Sequence, residues 1–260
     1  MKLYQQLEYI VKDRIAYISL NRPEDGNLMD DVLIVELKDA ILKAEQDGSA
    51  KLIVLRAHGD DFCRGYDPEY LRKIAGYNLD QNRVDAQSLA EMYFSIYRAT
   101  KVIIAEVRGQ AIGCGCALLS VVDFIFAAED ASFAFPEVRM GLSPAMSMAY
   151  LIRRLGETRT RSLLLSGASI DAKKAVDYRL ITESMPEQEL TAYVSKFAQE
   201  LCQNTSPAAL QLAKKMISDM QDFPLENALK FGIRMDAFAR VTDDAKRGIA
   251  LTLESRDLEW

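Results

Sequence analysis

The stretch Val102-Ile103-Ile104-Ala105-Glu106-Val107-Arg108-Gly109-Gln110-Ala111-Ile112-Gly113-Cys114-Gly115-Cys116-Ala117-Leu118-Leu119-Ser120 changes character twice. It opens as an apolar, β-branched run, which predicts a strand. It then passes through small residues, Gly109 to Cys116, and continues as a helix from Ala117. Glycine reaches backbone conformations that leave N–H groups unpaired, and a turn that feeds a helix N-terminus adds the helix dipole to the same field. Such a turn is suited to holding an oxyanion.

Working outward, the chain keeps alternating between the two periodicities. Upstream, Leu7 to Val11 and Arg14 to Leu20 alternate around Lys12-Asp13 and predict a hairpin. Asp30 to Glu45 spaces Val32, Leu33, Val35, Leu37, Ile41 and Leu42 as an amphipathic helix. Leu52 to Leu55 predicts a buried strand, His58 to Asp67 a loop, and Arg83 to Ala99 a helix. Downstream, strands are predicted at Phe124 to Ala127 and Ser132 to Phe135, then helices at Ala145 to Leu155, Glu157 to Ser166 and Asp171 to Tyr178. From about Leu190 only helical patterns remain, broken at Pro207 and Pro224. The expected architecture is therefore an α/β core over residues 1–190 and a helical, oligomerising region over residues 191–260.

The chain has 260 residues, 49% of them hydrophobic, enough for a large core. Its formal net charge of -6 and the absence of any basic run argue against nucleic acid as a partner. Met1 to Tyr9 lacks the basic flank and apolar stretch of a signal peptide, so a cytoplasmic location is expected. The longest apolar stretch, Ala111 to Ala128, is interrupted by Gly113, Gly115 and Asp123 and does not read as a membrane span. Cys63, Cys114, Cys116 and Cys202 have no zinc-binding spacing and are expected to be reduced; no metal site is expected. His58, the only histidine, sits in the polar turn His58-Gly59-Asp60-Asp61 and reads as a solvated loop residue at a strand end.

A second glycine-bearing turn, Phe62-Cys63-Arg64-Gly65-Tyr66-Asp67, also follows a strand. Together with Ile18-Ser19-Leu20-Asn21-Arg22-Pro23, Val107 to Gly115 and Ala131-Ser132-Phe133-Ala134-Phe135-Pro136-Glu137-Val138-Arg139-Met140-Gly141-Leu142-Ser143-Pro144, it resembles the crotonase superfamily, the enoyl-CoA hydratase/isomerase family. The ending Asp244 to Ala250, with Glu254-Ser255-Arg256 and Trp260, is similar to the family's helical C-terminus. The resemblance covers nearly the whole chain. It implies a spiral of ββα units, a helical trimerisation region giving a homotrimer or a dimer of trimers, and an acyl-CoA or acyl-carrier thioester as substrate. Coenzyme A then enters as part of the substrate, with no separate cofactor.

Carried onto this sequence, the family's two oxyanion-hole amides fall on Tyr66 and Cys114. Cys114 departs from the family's usual glycine, so its Cβ requires an ordinary φ or a strained one. The resemblance assigns the catalytic carboxylate to Glu137, whose plain alternative is a capping or surface carboxylate. A second glutamate used by the family's hydratases is absent: Ala117 stands there and can neither orient water nor transfer a proton. Arg22 and Arg64 are the candidate CoA-binding cations, and Arg64 equally suits a solvent-facing position. Tyr66 reads either as an aromatic wall of the acyl pocket or as a core tyrosine. One carboxylate suffices for isomerisation, and decarboxylating and hydratase-like members also lack the first glutamate, so the reaction is left open. A non-catalytic paralogue that only binds acyl thioesters is the alternative from another class.

Overall fold

Two strands, β1 (Leu7–Lys12) and β2 (Ile15–Leu20), pair antiparallel, and the turn between them places both Asp13 and Arg14 at positive φ. That two-residue geometry matches the right-handed twist of the flanking strands. The computed structural model containing this hairpin describes residues 4–256 and Trp260. The parts of the expected 1–190 and 191–260 divisions that fall on residues 1–3 and 257–259 lie outside the described residues.

Helix α1 (Asp31–Gln46) starts where Asp30 Oδ1 accepts from Leu33 N at 2.8 Å, so the predicted start at Asp30 is its N-cap. It leads into β3 (Leu52–Ala57), parallel to β2. Helices α2 (Pro68–Ala75) and α3 (Leu79–Arg98) follow, then β4 (Ile103–Val107), β5 (Gln110–Ile112) and α4 (Cys114–Leu119). The chain continues through β6 (Phe124–Ala128), β7 (Ser132–Ala134), α5 (Ala145–Leu155), α6 (Glu157–Ser166), β8 (Ile170–Asp171), α7 (Ala172–Asp177) and β9 (Glu183–Met185). Four helices close it: α8 (Glu187–Asn204), α9 (Pro207–Met220), α10 (Leu225–Arg240) and α11 (Asp243–Leu253).

The larger sheet has the order β1-β2-β3-β4-β6-β9 and is parallel from β2 onward; the smaller has the order β5-β7-β8. Successive units send one strand to each sheet: β4 and β6 enter the larger, and β5 and β7, which follow them, enter the smaller. The apolar run of β3 has no polar alternation because both of its faces are covered. Ile53 and Leu55 join the core that contains α1 and α3, while Leu52 and Val54 join a second cluster under α8 with Leu190, Val194, Ala198 and Cys202.

Several elements depart from the pattern read in the sequence: β5, β8 and β9 are short strands with no expected counterpart, and α4 begins at Cys114, ahead of Ala117. The eight-residue α2 lies between the expected loop His58 to Asp67 and the expected helix from Arg83, and it buries only Tyr70. Helix α3 begins at Leu79, ahead of Arg83, because Asn78 and Gln81 form a reciprocal capping box. Buried lysines close two helix C-termini: Lys101 Nζ donates to Ala44 O at 2.5 Å and Asp47 O at 2.6 Å after α1, and Lys51 Nζ donates to Cys202 O at 2.6 Å and to Thr205 O after α8. By contrast α9, α10 and α11 contain no buried residue, and Leu225, Ile233 and Leu253 are at least 70% exposed. Among the described residues no helix is long and apolar enough to cross a membrane.

Candidate active site

Backbone pairing brings three separated segments together. Cys63 N donates to Gln110 O at 3.0 Å and Ile112 N donates to Cys63 O at 2.9 Å, which joins the loop after β3 to β5. On the other side β5 pairs with β7 in the register Gln110↔Ser132, Ala111↔Phe133 and Ile112↔Ala134. Gly113 N continues that ladder to Ala134 O at 2.8 Å, and the chain then turns at Pro136 into a 3₁₀ helix, Pro136–Met140, that carries Glu137.

At the ends of the first two segments the chain needs glycine. Gly65 has φ +105° and Gly113 has φ +53° with ψ −119°, conformations that an L side chain rarely adopts. The residue after each glycine is ordinary. Cys114 is the first residue of α4 and has no positive φ, so its Cβ brings no backbone strain: the strained conformation belongs to Gly113. Neither Tyr66 N–H nor Cys114 N–H donates to a protein acceptor among the described residues. The Cys114 peptide is further held by the fully buried Tyr93, whose hydroxyl donates to Cys114 O at 3.1 Å.

Glu137 is 5% exposed, and its Oε2 has no hydrogen-bond partner. Burial pushes its carboxyl above the ordinary value of 4.5, because removing water disfavours the charged form. Its other oxygen lies against the second turn: a Cβ built on Gly113 would stand 2.9 Å from Glu137 Oε1. Tyr66, Cys114, Ala117 and Glu137 line one cavity of about 260 Å³, closed by the segment Leu142 to Ser147 and by Tyr70, Asp85 and Leu89. Ala117 presents only a methyl group and is itself buried. Tyr66 is thus a wall of this cavity, packed against Tyr70 with ring centroids 5.9 Å apart. Burial pushes the Cys114 thiol well up, so this sulfur has the character of a small packed side chain.

The two candidate cations lie off the cavity. Arg22 donates to Asp25 (2.9 Å), Asp30 (3.2 Å), Asp67 (2.8 Å) and the Leu28 carbonyl (3.1 Å). Since Asp30 and Asp67 are the N-caps of α1 and α2, Arg22 ties two helix starts together. Arg64 is half exposed, two residues before Tyr66, with Asp61 at 3.7 Å. His58 is partly exposed and its Nε2 lies 3.1 Å from Glu8 Oε2, away from the cavity. Among the described residues no three His, Cys, Asp or Glu side chains gather into a metal-binding group. Tyr70, Asp85 and Tyr93 were not singled out from the sequence; the last two sit on α3, and their place in a helix does not show which face meets the cavity.

Comparison with known proteins agrees with this architecture. The sequence is 31% identical to a probable enoyl-CoA hydratase of Rhizobium meliloti, over 99% of this chain and 98% of that protein. It is 28% identical to the 2,3-dehydroadipyl-CoA hydratase of Escherichia coli, with 94% of each chain covered. An enoyl-CoA hydratase crystal structure from Shewanella pealeana superposes with a TM-score of 0.94 at 28% identity, covering 99% of this chain and 96% of that one. The family model described as enoyl-CoA hydratase/isomerase matches residues 11–260. With that match spanning nearly every element described above, the chain belongs to the enoyl-CoA hydratase/isomerase family of the crotonase superfamily.

Proposed function

We propose that this enzyme moves a carbon–carbon double bond within an acyl-CoA thioester, with Glu137 carrying the proton. The observation that bears most weight is a buried carboxylate beside Gly113, one of its oxygens without a hydrogen-bond partner, in a cavity where Ala117 offers only a methyl group. In this reading the thioester oxygen accepts from Tyr66 N–H and Cys114 N–H, which stabilise the negative charge as it forms. Glu137 removes a proton from the carbon next to the carbonyl of a 3-enoyl thioester. The resulting charge spreads over the oxygen and the far end of the former double bond. Glu137, now protonated, returns the proton there, giving the conjugated 2-enoyl product with no atom gained or lost.

Hydration requires in addition a positioned water and a group to split it, and Ala117 can do neither. Burial favours the role, since a base whose carboxyl is raised toward neutrality takes and returns a proton with smaller mismatch. Coenzyme A enters with the substrate and no resident cofactor is used in this scheme; Arg64, exposed near Tyr66, is the proposed contact for a CoA phosphate. The apolar, uncovered faces of α9 to α11 support self-association, with a trimer as the proposed state.

The test is to offer 3-hexenoyl-CoA, crotonyl-CoA and a malonyl-type CoA to the purified protein. Conjugation of the first, seen as absorbance of the 2-enoyl thioester, with no gain of water by crotonyl-CoA, supports isomerisation. Hydration of crotonyl-CoA without conjugation of 3-hexenoyl-CoA overturns it, loss of carbon dioxide from the malonyl ester points to decarboxylation, and binding without any turnover points to a non-catalytic module.

A further inference from the structure

The cavity is lined by two kinds of group. Besides the two free amides and Glu137, helices α2 and α3 line it, joined by a hydrogen bond from the buried Tyr70 hydroxyl to Asp85, at 2.8 Å from Oδ1 and 2.7 Å from Oδ2. A phenol has a single hydrogen, and this one is already shared between two carboxylate oxygens. Of the nearby donors, Ser147 Oγ donates to Pro144 O at 3.0 Å, and Asn82 Nδ2 spends one of its two hydrogens on Tyr77 O at 3.1 Å. No lysine or arginine lines the cavity among the described residues, and Asp85 is in no ion pair among them. This part of the lining therefore presents a carboxylate and apolar walls, among them Ile74, Leu89 and Met146, with no cation to neutralise a second negative charge.

We propose that the Tyr70–Asp85 pair is a charge filter, restricting the substrate class to thioesters whose acyl tails are uncharged and shutting out those that end in a carboxylate. The inference rests on the acyl-thioester reading given under Proposed function and narrows it. An ω-carboxylated chain long enough to reach α3 would bring its charge toward Asp85 in a partly dry cleft, where repulsion between unit charges is far stronger than in water. It would also lose hydration without gaining a cationic partner. An uncharged tail meets neither cost. A purely structural role for the pair, pinning α2 to α3, makes a different prediction: replacing Asp85 with Asn preserves an acceptor for Tyr70 and removes the charge.

Binding of saturated, non-reacting esters tests this by calorimetry on the full chain, using hexanoyl-CoA against adipoyl-CoA and pentanoyl-CoA against glutaryl-CoA. In the wild-type protein the ω-carboxylated member of at least the longer pair should bind more weakly by about tenfold or more. Asp85→Asn, which removes the repulsion and leaves the desolvation cost, should narrow the ratio for that pair severalfold. Equal binding of both members in the wild-type protein overturns the filter, as does a ratio that Asp85→Asn leaves unchanged. Failure of hexanoyl-CoA itself to bind overturns the filter together with the thioester reading, a result distinguishable from equal binding of the two esters.

Discussion

Replacing Glu137 with Gln should make the protein more stable and far less active, and the two effects have one physical origin. Gln keeps the shape of the side chain and leaves the atom at the Oε2 position without a partner, so the change is confined to the charge and the titrating proton. An unpartnered buried polar atom costs about 1–3 kcal/mol, and charge adds to that cost. Removing the charge at neutral pH should therefore stabilise by on the order of 1 kcal/mol, equivalent to a rise of about 2–4 °C in Tm for a chain near this size. The sign follows from the direction of the shift. Burial raises the folded-state value above the ordinary 4.5, so the folded protein holds this proton at pH values where the unfolded chain has lost it. Wild-type stability thus falls as pH rises from 4.5 through the raised value, and the advantage of Gln should shrink to nothing below 4.5. General acid–base groups contribute about 10² to 10⁴ in rate. Turnover in the variant should drop by that factor, about 3–5 kcal/mol of barrier. Thermal denaturation of both proteins near neutral pH and below 4.5, with 3-hexenoyl-CoA kinetics, measures all of this. A variant that is less stable than wild type at neutral pH, or whose stability difference ignores pH, would refute an uncompensated carboxylate; undiminished turnover would remove Glu137 from the chemistry.

Gly113→Ala places a side chain at φ +53° and drives a Cβ to 2.9 Å from Glu137 Oε1. It should cost about 1–3 kcal/mol in urea denaturation and lower kcat by roughly 10² or more through displacement of the Cys114 amide. Ala117→Glu restores a carboxylate where water would be positioned: crotonyl-CoA should begin to gain water, with a lower Tm because two buried carboxylates then share one cavity. Its absence of hydration in a folded variant would mean that a second carboxylate is not what separates the two reactions here. Arg22→Ala leaves the caps Asp30 and Asp67 without their shared cation, and a Tm loss with little change in KM is expected; the opposite pattern would mark Arg22 as a phosphate contact.

Much of this fold was readable because burial on two faces and on one face leave different traces in sequence. The β3 run and the helix Ala145–Leu155 announce themselves through composition and period, and the hairpin through alternation. Helix α2 and the two- and three-residue strands β8 and β9 are too short to carry a period, and tertiary contacts define them. At the site, Gly65, Gly113 and Glu137 stand in recognisable blocks because backbone conformation and a turn dictate them. Their convergence in one cavity depends on long-range strand register, which no local pattern encodes. Tyr93 and the Tyr70–Asp85 pair were illegible for a further reason: a tyrosine or aspartate on a helix reads the same whether it faces a core, a cleft or solvent. Arg22 shows the converse, a conspicuous cation whose bonds go to helix caps.

The three segments that meet at the cavity are stitched by main-chain ladders between Cys63, Ala111 and Phe133. A ladder tolerates almost any residue facing outward from it but admits no sliding. Relatives built on the same stitching are therefore free to exchange the lining contributed by helices while keeping the relative placement of amides and acid, so that new substrates and even new reactions arise by repainting one wall. The same interlock should make the amides of Ile112 and Gly113, each bonded across to a different segment, among the slowest in the chain to exchange hydrogen with solvent.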